Sequence, residues 1–399
     1  MSASTIAASR VGVSARAAAW AGIVFGVLAA YVALPPLMIR TSLVSLLLAI
    51  LGVLAGVYAA REGERRLGYI AIAIATLGGV LAVMAVNSGE SNLDRVFVWS
   101  ALTAGMLRFA TPLIFAAMGG ILSGRSGVIN IGLEGMMLIG AFFGIFGADL
   151  LDSWFLGLVC GVAAGALIGL VHAFVSISLR ADQVVSGTGI NFLAVGITGY
   201  VFIYHYGDQG TPSDISRAPN VSLPVIEDIG FFGEAIGRLN LLTWVALLLV
   251  PALTLFLFRT RSGLRLRSIG EKPRAADSVG LPVIRTRYFA VVASGALAAV
   301  GGAFLSIALV GSFNEQMTAG RGFIALAAVI FGGWRPWGAL AGALLFGFST
   351  ALAQRLPVFS PSAATLFQSL PYVLTLVAVA GVIGRSIPPA ALGRPLERS

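Results

Sequence analysis

The chain has 399 residues, 58% of them hydrophobic and only 11% charged, with a formal net charge of +9. Average soluble domains carry about 25% charged residues, so this composition excludes an ordinary water-soluble domain and indicates an integral membrane protein. The positive charge is not a nucleic-acid footprint, because the basic residues cluster in short segments between apolar runs and so report topology.

Residues 1–16 are small and polar, with Arg10 and Arg16. The apolar run that follows is long for a signal-peptide core and lacks a small-residue cleavage site, which predicts a retained first span with a cytoplasmic N-terminus. A crossing helix needs about 20 apolar residues. Runs of that kind cover 18–37, 42–60, 67–86, 97–122, 133–150, 154–178, 184–205, 240–258, 288–310, 337–353 and 367–384. The run 322–333 is too short to cross unaided and reads as a re-entrant piece or half of a broken helix. The predicted fold is therefore all-α, a polytopic membrane protein with 11 or 12 transmembrane helices.

Arginine positions orient the spans, since acidic residues weigh little in the positive-inside rule. Arg61–Arg66, Arg125, Arg180 and the tail from Arg385 mark cytoplasmic segments. The loop 87–96, the turn at Asp149 and Asp152, and the acidic segment 207–239 fall outside. Twelve crossings with both termini cytoplasmic satisfy these signs. The first three spans carry almost no polar residues and precede a polar hinge at 87–95, which places a boundary near residue 95 and separates an N-terminal extension, 1–95, from a core, 96–399.

Within the core, Arg108 lies about eleven residues into its span. A buried arginine at bilayer depth faces a partner or a cavity, and Glu134 is one possible partner; a shifted helix with a snorkelling arginine is the alternative. The stretch 119–144, GGILSGRSGVINIGLEGMMLIGAFFG, interrupts the apolar pattern with glycines, Asn130 and Glu134. It reads either as a broken helix exposing Asn130 to a translocation path or as a plain cytoplasmic turn, with Glu134 favouring a helix N-terminus through the macrodipole. Residues 183–199 open a span with Gln183, Ser186, Thr188 and Asn191. The lone Cys160 and the separated His172 and His205 suggest no disulfide and no metal site, and the histidines read as core or interface residues.

Arg259 to Arg287 is the longest basic segment, with seven arginines and the only lysine, Lys272, against Glu271 and Asp277. Pro273 suits the first position of a short helix, and Gly280 followed by Pro282 suits its end. Ala275, Ala276 and Val279 are expected to share one face. The loop is either a solvated cytoplasmic connection or a plug for a soluble partner. Near 311–338, Arg321 reads as an outside anchor in preference to a path residue, and Trp334 and Trp337 beside Arg335 and Pro336 read as an interfacial turn. With its only lysine in EKPR the chain cannot form a GxxxxGK[ST] phosphate loop, and no catalytic triad or paired-carboxylate site stands out.

Three segments in order, SGRSGVINIGLEGMMLIGAFFG, SIGEKPRAADSVGLPVIRTRYFAVVASGALAAVGGAF and MTAGRGFIALAAVIFGGWRPWGA, resemble the permease subunits of ABC importers in the branched-chain amino acid, ribose and nucleoside group. The resemblance covers about 97–384 and is greatest to the nucleoside, guanosine-type branch; the three N-terminal spans lie outside it. It implies a transport subunit, not an enzyme, without a cofactor of its own. Glu271, Lys272, Pro273, Ala275, Ala276, Asp277 and Gly280 would form a coupling helix docked on a cytoplasmic ABC ATPase. A second related permease and an extracytoplasmic substrate-binding lipoprotein would complete the importer in a bacterial cell membrane. A nucleoside path needs an aromatic face for the base, and Phe192 beside Asn191 is a candidate on that ground. Simple sugars and branched-chain amino acids are the rival substrates. A secondary transporter or channel without an ATPase, relaying ions through Arg108 and Glu134, and a scaffold whose N-terminal spans recruit partners are the rivals of other classes.

Overall fold

The computed structural model describes residues 14–34, 37, 42–87, 98–358, 364–377 and 386–394. Arg10, the hinge with Glu90, Asp94 and Arg95, the expected boundary near 95, and Arg385 lie outside them. Among the described residues ten helices are long and apolar enough to cross a membrane. Two compact units are distinguished, one comprising Met1–Val98, Gln354–Ser369 and Leu376–Gly384, the other Trp99–Ala353, Leu370–Thr375 and Arg385–Ser399.

In the first unit, α1 (Ala15–Ala33), α2 (Ser42–Arg61) and α3 (Arg65–Asn87) pack on one another. Their seam is made of small residues. A Cβ at Gly22 would sit 2.8 Å from the Gly52 carbonyl oxygen, and one at Gly26 would sit 2.6 Å from the Ala75 backbone. In lipid the hydrophobic effect does not drive helices together, so close backbone approach of this kind supplies the association through van der Waals contact.

The second unit begins with α4 (Trp99–Arg125), α5 (Leu133–Leu150), α6 (Trp154–Ala173) and α7 (Gln183–Tyr206). Asp182 caps α7 by accepting from the Val184 and Val185 N–H groups at 2.8 and 3.0 Å, which satisfies two of the donors a helix start leaves free. The acidic segment 207–239 folds over itself as a two-stranded ribbon, Asn220–Ser222 against Arg238–Asn240, enclosing two short helices. Asn240 then caps α8 (Leu241–Arg259) through the Leu242 N–H at 3.0 Å.

The basic segment forms α9 (Arg261–Glu271) and α10 (Pro273–Ser278), and α11 (Val283–Ala303) follows. Both α6 and α11 end in π-helical turns, at Phe174–Ser178 and Phe304–Val310. The expected short apolar piece is α12 (Arg321–Phe331), whose 11 residues span about 16 Å, roughly half the hydrocarbon thickness. Next comes α13 (Pro336–Ala353). The span expected at 367–384 is described only through helices Ala364–Gln368 and Leu370–Val377.

The core of this unit lies where α4, α5, α6 and α11 meet. A Cβ at Gly302 of α11 would fall 1.8 Å from the Met137 carbonyl oxygen of α5, and one at Gly295 2.5 Å from that of Gly165 on α6. Only glycine permits these crossings. Gly302→Ala is therefore expected to force α5 and α11 apart and destabilise the purified protein by at least about 1–3 kcal/mol, the usual range for overpacking. Gly199→Ala on α7, where nothing lies within 4 Å, should leave the thermal midpoint unchanged or raise it. Equal midpoints for the two variants would refute this account of the core.

Candidate functional site

Helix α4 stops at Arg125 and α5 starts at Leu133, and the seven residues between them are largely buried without regular structure. Irregular backbone inside a membrane protein must be satisfied by its surroundings. Here side chains from other helices do this one group at a time. Gln183 Oε1 accepts from the Ile129 N–H at 2.7 Å. His172, fully buried, meets the Ile129 carbonyl through Nε2 at 3.2 Å. A carbonyl can only accept, so Nε2 carries the proton, and the single Nδ1 lone pair accepts from one of the two hydroxyls beside it, Ser186 at 3.0 Å or Ser176 at 3.2 Å. Asn191 donates to the Ile131 carbonyl at 3.2 Å and accepts from the Gly135 N–H at 2.8 Å. Arg287, 1% exposed, donates from Nε to the Ser126 carbonyl at 3.1 Å. Gly127, at φ +91°, turns the chain beneath that guanidinium.

The two deep polar residues expected in this stretch are placed differently from each other. Asn130 is 2% exposed and donates to Ser294 Oγ at 3.0 Å; its Oδ1 is buried with no hydrogen-bond partner among the described residues. Glu134 lies in the first turn of α5 and reaches across to the first turn of α12, accepting from the N–H groups of Gly320 at 2.8 Å and Gly322 at 2.6 Å. One carboxylate thus stands at the positive ends of two helices. A side chain at Gly322 would collide with Glu134, its Cβ falling 2.4 Å from the Glu134 nitrogen. Arg321, expected as an outside anchor, instead sits beside this carboxylate and donates to the Met317 and Thr318 carbonyls at 2.9 and 3.1 Å.

In the basic element, Pro273 stands at the first position of α10, and Gly280, at φ +78°, follows it in the left-handed region. Ala276 is 4% exposed and packs on Ile269 and Val283, whereas Val279 is 74% exposed. The expectation that Ala275, Ala276 and Val279 share one outward face is therefore corrected. Residues one apart on a helix point about 100° away from each other, and Ala276 takes the inward direction while Ala275, Asp277 and Val279 face out. Lys272, with a non-helical backbone, joins the two helices. Glu271 is tied to the C-terminal segment by the Ala390 N–H at 3.2 Å, and the Ala391 N–H bonds the Gly270 carbonyl at 2.9 Å.

Three further expectations are corrected. Arg108 lies on the exposed face of α4 and is not paired with Glu134, whose two oxygens are engaged at α12. Phe192 is 75% exposed and points away from Asn191, so the two do not form one subsite. Trp334 likewise is no interfacial anchor: it is 3% exposed and packs on Gly124, while Trp337 is 56% exposed.

At the far ends of α5 and α7 an aromatic cluster forms instead. Phe142 and Phe313 meet edge to face at 5.1 Å between centroids, Phe146 lies 4.9 Å from the His205 ring, and Tyr206 donates to Asp149 at 2.8 Å. Phe142, Phe146 and Tyr206 are ordinary apolar members of their runs in the sequence. Nothing in their spacing marks them apart from core, because the cluster is closed by Phe313 from a distant loop.

Asn191→Ala is expected to destabilise the protein by about 1–3 kcal/mol, because it strands a buried N–H and a buried carbonyl together. Phe192→Ala, one residue along but outward-facing, should leave the thermal midpoint within experimental scatter. A neutral Asn191→Ala would show that the buried segment is satisfied in some other way.

The family described as branched-chain amino acid transport system / permease component matches residues 102–379. The guanosine ABC transporter permease protein NupQ of Bacillus subtilis is 40% identical over 74% of this chain and 96% of its own length. A second guanosine permease protein of that organism, NupP, is 26% identical over 64% of this chain and 74% of its own length. The nucleoside ABC transporter permease protein NupC of Lactococcus lactis is 38% identical, covering 73% of this chain and 95% of that protein. The putative glucose permease protein TsgC13 of Haloferax volcanii is 38% identical over 64% of this chain and 78% of itself. No solved structure matches at a significant level. A polytopic helical chain whose broken α4–α5 junction is held by other helices, and whose matched segment spans nearly the whole of the second unit, thus belongs to the branched-chain amino acid transport system permease component family of ABC transporters.

Proposed function

We propose that this chain is the membrane-spanning permease subunit of an ABC importer for nucleosides. The observation that carries the substrate class is its 40% identity to a guanosine permease across 96% of that protein, joined by 38% identity to a nucleoside permease across 95% of it. The chain itself would perform no ATP hydrolysis and would draw its driving force from a separate cytoplasmic ATPase. Bacillus subtilis has two guanosine permeases similar to this chain, which favours pairing with a second, related permease over pairing with itself. An extracytoplasmic binding protein would deliver the substrate. In this reading both termini are cytoplasmic, and residues 1–95 are an extension to the permease core at 96–399.

The basic element is the docking device. Ala275, Asp277 and Val279 face outward on α10, while Ala276 and Ile269 anchor it to the first turn of α11 at Val283. A groove in the ATPase that grips Val279 would thereby move α11. That helix packs on α4, α5 and α6, and its Arg287 and Ser294 hold the α4–α5 junction at Ser126 and Asn130. Domain movement of this kind would open the path alternately to each side.

A sugar is the second reading, favoured by the 38% identity to the putative glucose permease. Uptake of labelled guanosine, glucose and leucine in cells lacking the gene separates these. Selective loss of guanosine uptake, restored by the wild-type gene, is expected; loss of glucose uptake alone would replace nucleosides with sugars. For the coupling role, Val279→Arg should leave folding intact, because Val279 is 74% exposed. It should also weaken co-purification of the ATPase roughly thirty-fold, the loss of one interface hot spot of about 2 kcal/mol. Undiminished ATPase association in Val279→Arg would remove α10 as the docking helix.

A further inference from the structure

Two cavities open side by side at the end of the bundle that carries the basic element. The first, of about 510 Å³, is walled by Arg125, Arg335, Glu271, Ser386 and Ile387 among others. The second, of about 600 Å³, is walled by Thr254, Phe258, Pro336 and Trp337. Gly332 and Arg335 belong to both walls. The two differ in chemistry. The first carries two guanidinium groups, and the hydroxyl oxygen of Ser386 is buried there with no hydrogen-bond partner among the described residues. The second is almost wholly apolar, with Phe258 38% and Trp337 56% exposed.

Charge on the first cavity is net positive. Arg125 lies within electrostatic range of Arg267, Arg335 and Glu271. Glu271, the one acidic group of the wall, is already engaged by the Ala390 N–H. Arg267 is held over the ring of Phe258, 4.8 Å from its centroid, so a further guanidinium stands against one wall residue of the apolar cavity. Arg125 is fixed by its Nε bond to the Trp334 carbonyl at 2.9 Å, which leaves its terminal nitrogens free of that bond. Arg335 is exposed. Ile387, 80% exposed in the C-terminal segment, puts an apolar side chain on the rim.

We infer that these paired cavities bind an anionic glycerophospholipid of the cytoplasmic leaflet. Its phosphate lies between Arg125 and Arg335 and meets the Ser386 hydroxyl; an acyl chain lies along Phe258 and Trp337. Basic pockets between membrane helices on the cytoplasmic side have the chemistry for such headgroups, and an exposed tryptophan such as Trp337 is a side chain that membrane interfaces favour. Charge and apolar surface adjoin in one place here, which matches an amphiphile and neither a free anion nor a plain hydrocarbon. The lipid touches the end of α4, the end of α9, the α12–α13 turn and the C-terminal segment together, and so braces the base of the element that precedes α10. The assignment to the cytoplasmic leaflet rests on the orientation given under Proposed function.

The test is native mass spectrometry of the full chain purified with its partner subunits. The complex is titrated with phosphatidylglycerol, with phosphatidylcholine and with inorganic phosphate. One phosphatidylglycerol retained per copy of this chain, with neither of the other probes retained, is expected. Arg335→Glu should weaken that retention roughly thirty-fold and Arg335→Gln about five-fold, following about a five-fold contribution per basic residue near a membrane surface. Trp337→Ala should shorten retention without conferring phosphatidylcholine binding. Equal retention of the two lipids, competition by inorganic phosphate, or retention unchanged in Arg335→Glu would each overturn the inference. So would lipid binding seen only after the ATPase is removed, because an acidic segment of that partner would then be the occupant. Guanosine uptake and ATPase co-purification are read in the same variants, so a failed transport assignment and a failed lipid assignment give different patterns.

Discussion

Seven residues of irregular backbone, Ser126 to Gly132, lie buried between two membrane helices, and the rest of the second unit is arranged to satisfy them. A buried N–H or carbonyl left without a partner costs about 1–3 kcal/mol. The partners come from four separate places in the chain: Ser123 at the end of α4, His172 on α6, Gln183 and Asn191 on α7, and Arg287 on α11. Each partner must arrive at hydrogen-bond distance for the junction to persist. Rearrangement of any one of these helices is therefore felt at the junction.

Close packing and polar satisfaction depend on one another here. His172 reaches Ile129 because α6 approaches α11 at Gly165 and Gly295, with room for no side chain between them. Glu134 reaches the start of α12 because Gly322 has no Cβ to hold the two helices apart. Small residues permit the approach; the polar contacts then select one register among those that the smooth apolar faces would allow. A carboxylate facing two helix N-termini adds a favourable charge interaction to both, and it is fixed at the point where a half-length helix would otherwise begin without a cap.

These contacts give the permease reading a physical route. The outward side of α10 is free to meet another protein, while its inward side, through Ala276, is part of the core that α11 begins. Helix α11 packs on α4, α5 and α6, and it also supplies Arg287 and Ser294 to the junction. In the proposed coupling role, a force on α10 would reach the junction through Ala276, Val283 and the rest of α11. The N-terminal helices α1 to α3 have their own glycine-packed seam and precede the family match at residue 102.

Composition and run length alone specified a polytopic helical membrane protein, and three ordered motifs specified its transporter family, because lipid solvation imposes long apolar runs and broken runs are conspicuous against them. The short helix between Pro273 and Gly280 was equally legible, since its start and stop are local backbone chemistry. What faced what was not. Whether Ala276 points inward, whether Asn191 and Phe192 act together, and whether Glu134 meets Arg108 or Gly320 are decided by helix azimuth and by contacts between separate helices, 56 positions apart for Asn191 and Gly135 and 186 for Glu134 and Gly320. An almost uniformly apolar helix carries little amphipathic signal for its azimuth, because lipid and protein interior are alike in polarity. Only the tertiary structure, through backbone approach at glycines and the buried polar groups that had to find partners, settled those orientations.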